Sequence, residues 1–397
     1  MALVDDAMRT LPDRYLGTHR GFDATYKIRL ADLGRMWEIR CTSTDIFVRP
    51  GAGSRRPTVT LTTDADTWLA LRGGEINGFT AFWERRLAVR GNLDDAVSLE
   101  SLFALPDGRA PLMRRHQIAL PIGSLSTLEI GDGPPVVLIH GLGATKSSWL
   151  DLAASLVQAG HRVLVPDLPG FGASSKPARG SYTARWFAEA IVQLIDALGV
   201  ECVDIVGNSL GGRVAIEVAL RDPRRVGALV LLCPAVAFVR RDMHAVVRLL
   251  RPEFGLLPHS FARSTLERQL FALFGDPDVI DPQVADVVLD EFERVYARAT
   301  ARLAFLSAAR NIYLDRPFGR GGFYPRLSGL EVPALFVWGE RDPLIPPGFE
   351  RHVREWLPRA EHIVLDGCGH VPQLERPEQT AGLVKRFLVR SVARAAA

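Results

Sequence analysis

At 397 residues the chain is long for a single core, and we expect two domains. Its 47% hydrophobic and 23% charged residues belong to a folded soluble protein and exclude a disordered or fibrous one. A net charge of only +3, with Lys confined to positions 27, 146, 176 and 385, carries no nucleic-acid signature; Lys385, Arg386, Arg390 and Arg394 allow at most weak peripheral contact with an anionic membrane surface.

Met1 to Leu16 hold Asp5, Asp6 and Asp13 and no continuous apolar stretch, which argues against a secretory signal and for a cytoplasmic location. Tyr26, Ile28 and Leu30, then Trp37, Ile39 and Cys41, alternate with polar neighbours, the period of half-buried antiparallel strands. Further strands are expected at Asp45–Val48, Val59–Thr62 and Leu87–Arg90. Thr63 and Asp66 are spaced as a capping box for a short helix that Gly73 and Gly74 would stop, and Asn92 as the cap of a helix over 93–103. These elements make a small α+β domain over 1–108, and two prolines and a glycine mark a linker between Leu105 and His116.

Over 109–397 apolar strands alternate with helical patterns, as in a mostly parallel α/β sheet with crossover helices. The strands are expected at Val136–Ile139, Arg162–Pro166, Val203–Val206, Ala228–Leu232, Ala334–Trp338 and His362–Leu365. The apolar run Ala228–Val239 is too short to cross a bilayer and reads as a buried strand. From Pro234 to Pro333 the chain is far longer than a crossover needs, so an insertion is expected. Helical patterns at Ala245–Leu250, Thr265–Phe274, Val284–Thr300 and Ala301–Ile312 suggest a helical cap, about 239–326, over the strand ends where such sheets bind ligands. Cys41, Cys202, Cys233 and Cys368 are far apart without a CxxC pair and read as reduced core thiols; no metal or cofactor is expected.

Gly207-Asn-Ser209-Leu-Gly211 follows an apolar strand and precedes a helical pattern, the context of a nucleophile elbow, in which a sharp turn lifts the serine hydroxyl to the strand tip. A hydroxyl is a weak nucleophile at neutral pH, so a base and an orienting acid must accompany it. Asp342 and His370 each follow a late apolar strand, and the order Ser209, Asp342, His370 suits this arrangement. Glu340 is the rival acid, Asp366 reads as a turn former, and His362 as a mid-strand core or surface residue. His140-Gly141-Leu-Gly143 follows the first buried strand and can offer a backbone N–H to an oxyanion, with the N–H of Leu210 as its partner. The stretch Asp167–Ser174 reads as a structural turn beside it.

From about His116 onward the chain resembles α/β-hydrolases, through His140-Gly-Leu-Gly-Ala-Thr-Lys-Ser-Ser-Trp149, Asp167-Leu-Pro-Gly-Phe-Gly, Gly207-Asn-Ser-Leu-Gly-Gly212, Gly339-Glu-Arg-Asp342 and Gly367-Cys-Gly-His370. The resemblance implies a parallel core, a helical lid, and Leu142 and Leu210 as oxyanion donors. A serine at 209 disfavours relatives that use aspartate there. Residues 10 to 105 resemble a sterol-carrier-protein type 2 domain in Leu69-Ala-Leu-Arg-Gly73, Asn77-Gly-Phe-Thr-Ala-Phe82 and Leu87-Ala-Val-Arg-Gly-Asn92. Such domains bind lipids in an apolar tunnel; the alternative is a docking or dimerisation module with a filled core. The expectation is a serine hydrolase of small hydrophobic or lipid-like esters. Gly-Asn-Ser-x-Gly-Gly is also similar to enzymes that hydrolyse a carbon–carbon bond in ring-cleavage products, which usually carry Trp where this chain has Val371. A third reading is a non-catalytic lipid carrier.

Overall fold

The computed structural model of the chain describes residues 2–18, 21–53, 55–108, 111–239, 244–249, 251–257 and 262–395. It divides into two compact units, one of Met1–Arg115, Leu128–Gly131 and Pro282–Glu291, the other of His116–Thr127, Asp132–Asp281 and Phe292–Ala397.

The first unit opens with α1 (Ala2–Arg9) and holds a five-stranded sheet of β1 (Asp23–Leu30), β2 (Arg35–Thr42), β3 (Ile46–Pro50), β4 (Val59–Thr63) and β5 (Leu87–Gly91), ordered β3-β2-β1-β4-β5. β1 and β2 pair antiparallel with Tyr26 opposite Ile39 and Ile28 opposite Trp37, all four buried, as their alternation predicts. Three helices, α2 (Ala65–Gly73), α3 (Gly78–Trp83) and α4 (Leu93–Ser101), complete it. Asn92 caps α4 as expected, accepting the Asp94 N–H at 3.1 Å. The expected capping box at Thr63 does not form. Thr63 ends β4 and its hydroxyl donates to the Arg86 carbonyl, while Asp64 caps α2 by accepting the Thr67 N–H at 2.7 Å. A carboxylate one residue later reaches the free helix N–H groups without leaving the strand short. The unforeseen α3 is capped by Asn77, which accepts the Thr80 N–H at 2.8 Å.

The second sheet has eight strands: β6 (Met113–Leu120), β7 (Gly123–Ile130), β8 (Pro135–Ile139), β9 (Arg162–Pro166), β10 (Val203–Asn208), β11 (Val226–Leu232), β12 (Ala334–Gly339) and β13 (Glu361–Leu365), ordered β13-β12-β11-β10-β8-β9-β7-β6. All six apolar runs are strands, and the pairs from β9 through β8, β10, β11 and β12 to β13 are parallel. β6 and β7 escaped the sequence pattern. β6 is an edge strand rich in polar residues, starting inside the stretch read as linker, and β7 buries Ser126, Thr127 and Glu129 among its apolar residues. The run Ala228–Val239 is strand only to Leu232; at Cys233 the backbone turns to φ +44° and leaves the sheet. Cys41, Cys233 and Cys368 are buried and free, whereas Cys202 is exposed before β10 rather than in the core.

Helices α5 (Leu150–Gln158), α6 (Ala184–Ala197) and α7 (Leu210–Arg221) follow β8, β9 and β10. The insertion after β11 holds α8 (His244–Leu249), α9 (Arg263–Phe271), α10 (Pro282–Tyr296), α11 (Ala299–Leu314) and α12 (Phe323–Leu327). Leu250, at the end of the first expected cap helix, lies outside the described residues. Then come α13 (Glu350–Trp356), α14 (Pro372–Glu375) and α15 (Pro377–Ala395). The core joins Val137, Ile139, Ile205, Leu229, Leu231, Phe336 and Trp338 of the sheet to Phe187, Ile191, Val214 and Val218 of α6 and α7. Each such side chain contributes about 1.5–3 kcal/mol by burial, and that rigid layer fixes the strand tips. Among the described residues no helix is long and apolar enough to cross a membrane.

Candidate active site

β8, β10, β11, β12 and β13 are parallel, so the loops after them leave the same edge of the sheet. The segments beginning at His140, Ser209, Cys233, Glu340 and Asp366 therefore converge. Ser209 sits between β10 and α7 at φ +52°, ψ −115°, a conformation that costs a non-glycine residue on the order of 1–3 kcal/mol. Its surroundings impose it: the Ser209 N–H donates to Leu232 O at 3.0 Å and its carbonyl accepts from Ala235 at 2.8 Å and Arg213 at 3.1 Å. A Cβ on Gly211 would lie 1.9 Å from Ile139 O, and one on Gly207 2.4 Å from Gly211 O, so only glycine lets strand and helix meet so closely.

Asp342 and His370 are in direct contact. The His370 Nδ1–H donates to Asp342 Oδ2 at 2.7 Å, with both side chains buried. Oδ1 of the same carboxylate accepts the N–H groups of Leu344 at 2.8 Å and Ile345 at 2.9 Å. Burial would raise the Asp342 carboxyl, but the hydrogen bond and charge of His370 together with those two N–H groups outweigh it and hold the acid below its ordinary value. Asn208, the residue before Ser209, donates through Nδ2 to the His370 carbonyl at 3.0 Å and to Leu232 O at 3.1 Å, which ties elbow and histidine loop together.

The rivals are engaged elsewhere. Glu340 is exposed and its Oε2 accepts the Gly367 N–H at 2.7 Å, away from His370 Nδ1. His362 accepts from Trp338 Nε1 at 3.2 Å, and burial pushes its imidazole down to about 4. His140 is fully buried: Nε2 accepts the Leu168 N–H at 2.9 Å, so the ring proton is on Nδ1 and donates to Gly141 O at 2.8 Å. With both nitrogens committed, His140 shapes its loop and accepts no further proton.

That loop is held over the elbow. A Cβ on Gly141 would sit 3.3 Å from Ser209 Cβ, which puts the backbone leading into Leu142 beside the serine. Leu210 opens α7, so its N–H is among the helix-start donors without an intrahelical acceptor. The loop's far end is fixed by Asp167, whose Oδ1 accepts the Lys146 N–H at 2.8 Å and whose Oδ2 accepts Lys146 Nζ and the Ala173 N–H at 2.7 and 2.8 Å. Lys146 Nζ also donates to Ser126 Oγ at 3.0 Å. Burial would raise the Asp167 carboxyl, yet the Lys146 charge holds it below its usual value. Opposite, Gly143 approaches the rings of Phe305 and Phe292, which pack with Tyr296 at ring separations of 5.6 and 4.2 Å.

Sequence reasoning did not foresee Cys233, Lys146 or Glu375. Cys233 Sγ lies within 4.8 Å of the ligand-capable atoms of Asp342 and His370, a set a metal ion could use. Any cation there would have to replace the closed Asp342–His370 hydrogen bond, and burial with the Asp342 charge pushes the thiol well up. The set fits a neutral thiol behind a hydrogen-bonded pair better than a metal cage. Lys146 lies within the His140–Trp149 stretch and Glu375 in no motif, and the roles of both arise from contacts with residues outside their own segments.

Residues 134–377 match the alpha/beta hydrolase fold family, and residues 11–104 match the SCP-2 sterol transfer family. The chain belongs to the α/β-hydrolase fold family and carries an SCP2 domain at its N-terminus. It is similar to 2-hydroxymuconate semialdehyde hydrolase of Pseudomonas putida, 33% identical over 262 residues that cover 65% of this chain and 88% of that one. It is also similar to Lipase 1 of Psychrobacter immobilis, 27% identical over 294 residues covering 69% and 86%. Among solved structures it resembles a bacterial membrane phospholipase A, with a TM-score of 0.59 and 29% identity over 70% of this chain and 87% of that one.

Proposed function

We propose that the protein is a serine-dependent carboxylic ester hydrolase acting on hydrophobic, lipid-like esters, with Ser209, His370 and Asp342 as nucleophile, base and acid. The observation that carries this reading is the 2.7 Å Asp342–His370 hydrogen bond at the sheet edge where Ser209 is held at φ +52°. With Nδ1–H committed to the carboxylate, His370 Nε2 keeps its lone pair as proton acceptor. Ser209 Oγ attacks the carbonyl carbon as its proton passes to Nε2, and the Leu142 and Leu210 N–H groups take up the charge that collects on the carbonyl oxygen. The C–O bond then breaks, the imidazolium gives its proton to the departing alcohol, and water repeats the sequence on the acyl-enzyme, releasing the acid and restoring Ser209. Asp342 remains ionised throughout and stabilises the imidazolium.

The aromatic group Phe292, Tyr296 and Phe305 beside Gly143 favours a hydrophobic substrate, in keeping with relatives named lipase and membrane phospholipase A. We take 1–108 as a lipid-binding domain and 109–397 as the hydrolase, its cap over about 239–326. Similarity to 2-hydroxymuconate semialdehyde hydrolase supports a second reading, carbon–carbon bond hydrolysis of a ring-cleavage product. Purified protein assayed with 4-nitrophenyl esters of graded chain length beside a ring-cleavage dienoate separates the two. Turnover of the dienoate alone would transfer the assignment. Ser209→Ala is expected to cut ester turnover by on the order of 10⁴ to 10⁶ with an unchanged circular dichroism spectrum. Wild-type rates in that folded variant would end the mechanism.

A further inference from the structure

His370 is fixed from two sides, and one side belongs to the cap. The His370 N–H donates to the carbonyl of Leu273, in the turn that follows α9, at 2.7 Å. Arg341, next to Asp342, donates through Nη1 to Gly275 O at 3.2 Å. The carboxylate of Glu375 closes the arrangement: Oε2 accepts the Gly369 N–H at 2.7 Å, and Oε1 accepts the Asp276 N–H at 2.9 Å. Glu375 is only 2% exposed, and each of its oxygens serves a different segment, one the histidine loop and one the cap. The two backbones touch without side chains between them. A Cβ on Gly369 would lie 2.2 Å from Leu273 O, and one on Gly275 2.3 Å from Gly367 O.

Resting on the reading of His370 as the base, we propose that Glu375 is a positioning residue that latches the cap turn Leu273–Asp276 to the His370 loop, so that cap closure and placement of the base are one event. A charge-assisted pair of hydrogen bonds from one carboxylate to two backbones resists their separation more than neutral contacts would. Displacing the turn by more than a hydrogen-bond length removes the acceptor from the His370 N–H and one N–H from Glu375 together. The imidazole then loses the backbone anchor that aims Nε2. A misplacement of about 1 Å at a reacting group costs up to about 100-fold in rate. The latch thus gives the enzyme a base that is aimed only when the substrate is covered.

The test uses two variants of the full chain that attack the latch from opposite sides. Glu375→Gln keeps the shape but turns one acceptor into a donor facing a backbone N–H; Gly275→Ala forces the cap turn off Gly367 and leaves Glu375 intact. Each is expected to lower kcat for a 4-nitrophenyl ester by on the order of 10 to 100-fold with KM within about twofold. Each should also broaden the far-downfield proton resonance of His370 Nδ1–H. The double variant should lose little more than either single one, because a latch broken once is broken. Wild-type kcat and an unchanged downfield resonance in either folded variant, or losses that multiply in the double variant, would overturn the proposal. If one variant fails to fold, the other carries the test. Failure of the catalytic reading would look different: Ser209→Ala would stay active, while the resonance would still report whether Glu375 and Gly275 hold the histidine.

Discussion

Asp342, in the second unit, and Glu100, in the first, each have a carboxylate packed away from water, and their surroundings treat the charge in opposite ways. Asp342 has a histidine on one oxygen and two backbone N–H groups on the other, which together hold it ionised. Part of Glu100 touches solvent, yet its carboxylate is deep enough that burial pushes it up to about 7, offset only in part by the Gly78 N–H at 2.8 Å and by Arg72. Among the described residues no hydrogen bond joins Glu100 to Arg72. The Arg72 guanidinium instead lies 4.5 Å over the Phe103 ring, and burial pushes it down to about 9, which still leaves it charged at neutral pH. The hydrolase edge is built to keep a charge in place, as the Lys146–Asp167 pair also shows; around Glu100 the SCP2 unit favours the neutral form. At Glu100 burial wins over its hydrogen-bond donor, whereas at Asp342 the donors and the histidine win over burial. The number and charge of the partners set which way the balance falls.

The comparison breaks most sharply at Asp342. Asp342→Asn keeps the shape but withdraws the anion, so His370 loses the partner that fixes its tautomer, and kcat should fall by on the order of 10⁴ with an unchanged circular dichroism spectrum. A loss under tenfold would show that the charge at this edge is incidental. Next in size is Lys146→Met, which leaves Asp167 buried without its cation and should cost about 3–5 kcal/mol in urea unfolding. Pairing it with Asp167→Asn should recover most of that loss, since the unpaired charge is then gone. A double variant as unstable as the single one would mean that lysine packing, not charge, holds the loop.

Much of this was legible in the sequence, for identifiable reasons. The strands buried on both faces show as unbroken apolar runs, such as Val136–Ile139, and the turns that carry Ser209, Asp342 and His370 stand directly after them. The elbow's glycines were readable because strand and helix approach too closely for any side chain. β6 and β7 were not, because a polar edge strand and a strand that buries Ser126, Thr127 and Glu129 lack the apolar signal. Glu375 was invisible for a different reason. Its partners, Gly369 and Asp276, lie 6 and 99 residues away, and no local pattern records a contact made by folding the cap back onto the sheet edge.

The smallest expected effect sharpens the other half of the comparison. An unfolded glutamate titrates near about 4.3, whereas the folded Glu100 carboxyl titrates at about 7. Between those values the folded protein holds a proton that the unfolded chain has released, so stability falls as pH rises through that window and levels off above about 7. This is the reverse of Asp342, whose lowered value contributes stability at neutral pH that is lost as the solution is acidified below the ordinary carboxylate range. Allowing for the solvent that reaches part of Glu100, the loss between pH 5 and 8 should be roughly 1–3 kcal/mol. Glu100→Gln removes the titration and keeps the size. The melting temperature of the wild type should therefore drop more than that of the variant between pH 5 and pH 8, and the two should converge toward pH 5, where the wild-type carboxyl is already protonated. Parallel curves would mean that Glu100 meets a counter-charge in solution, and the contrast between the two carboxylates would then fall.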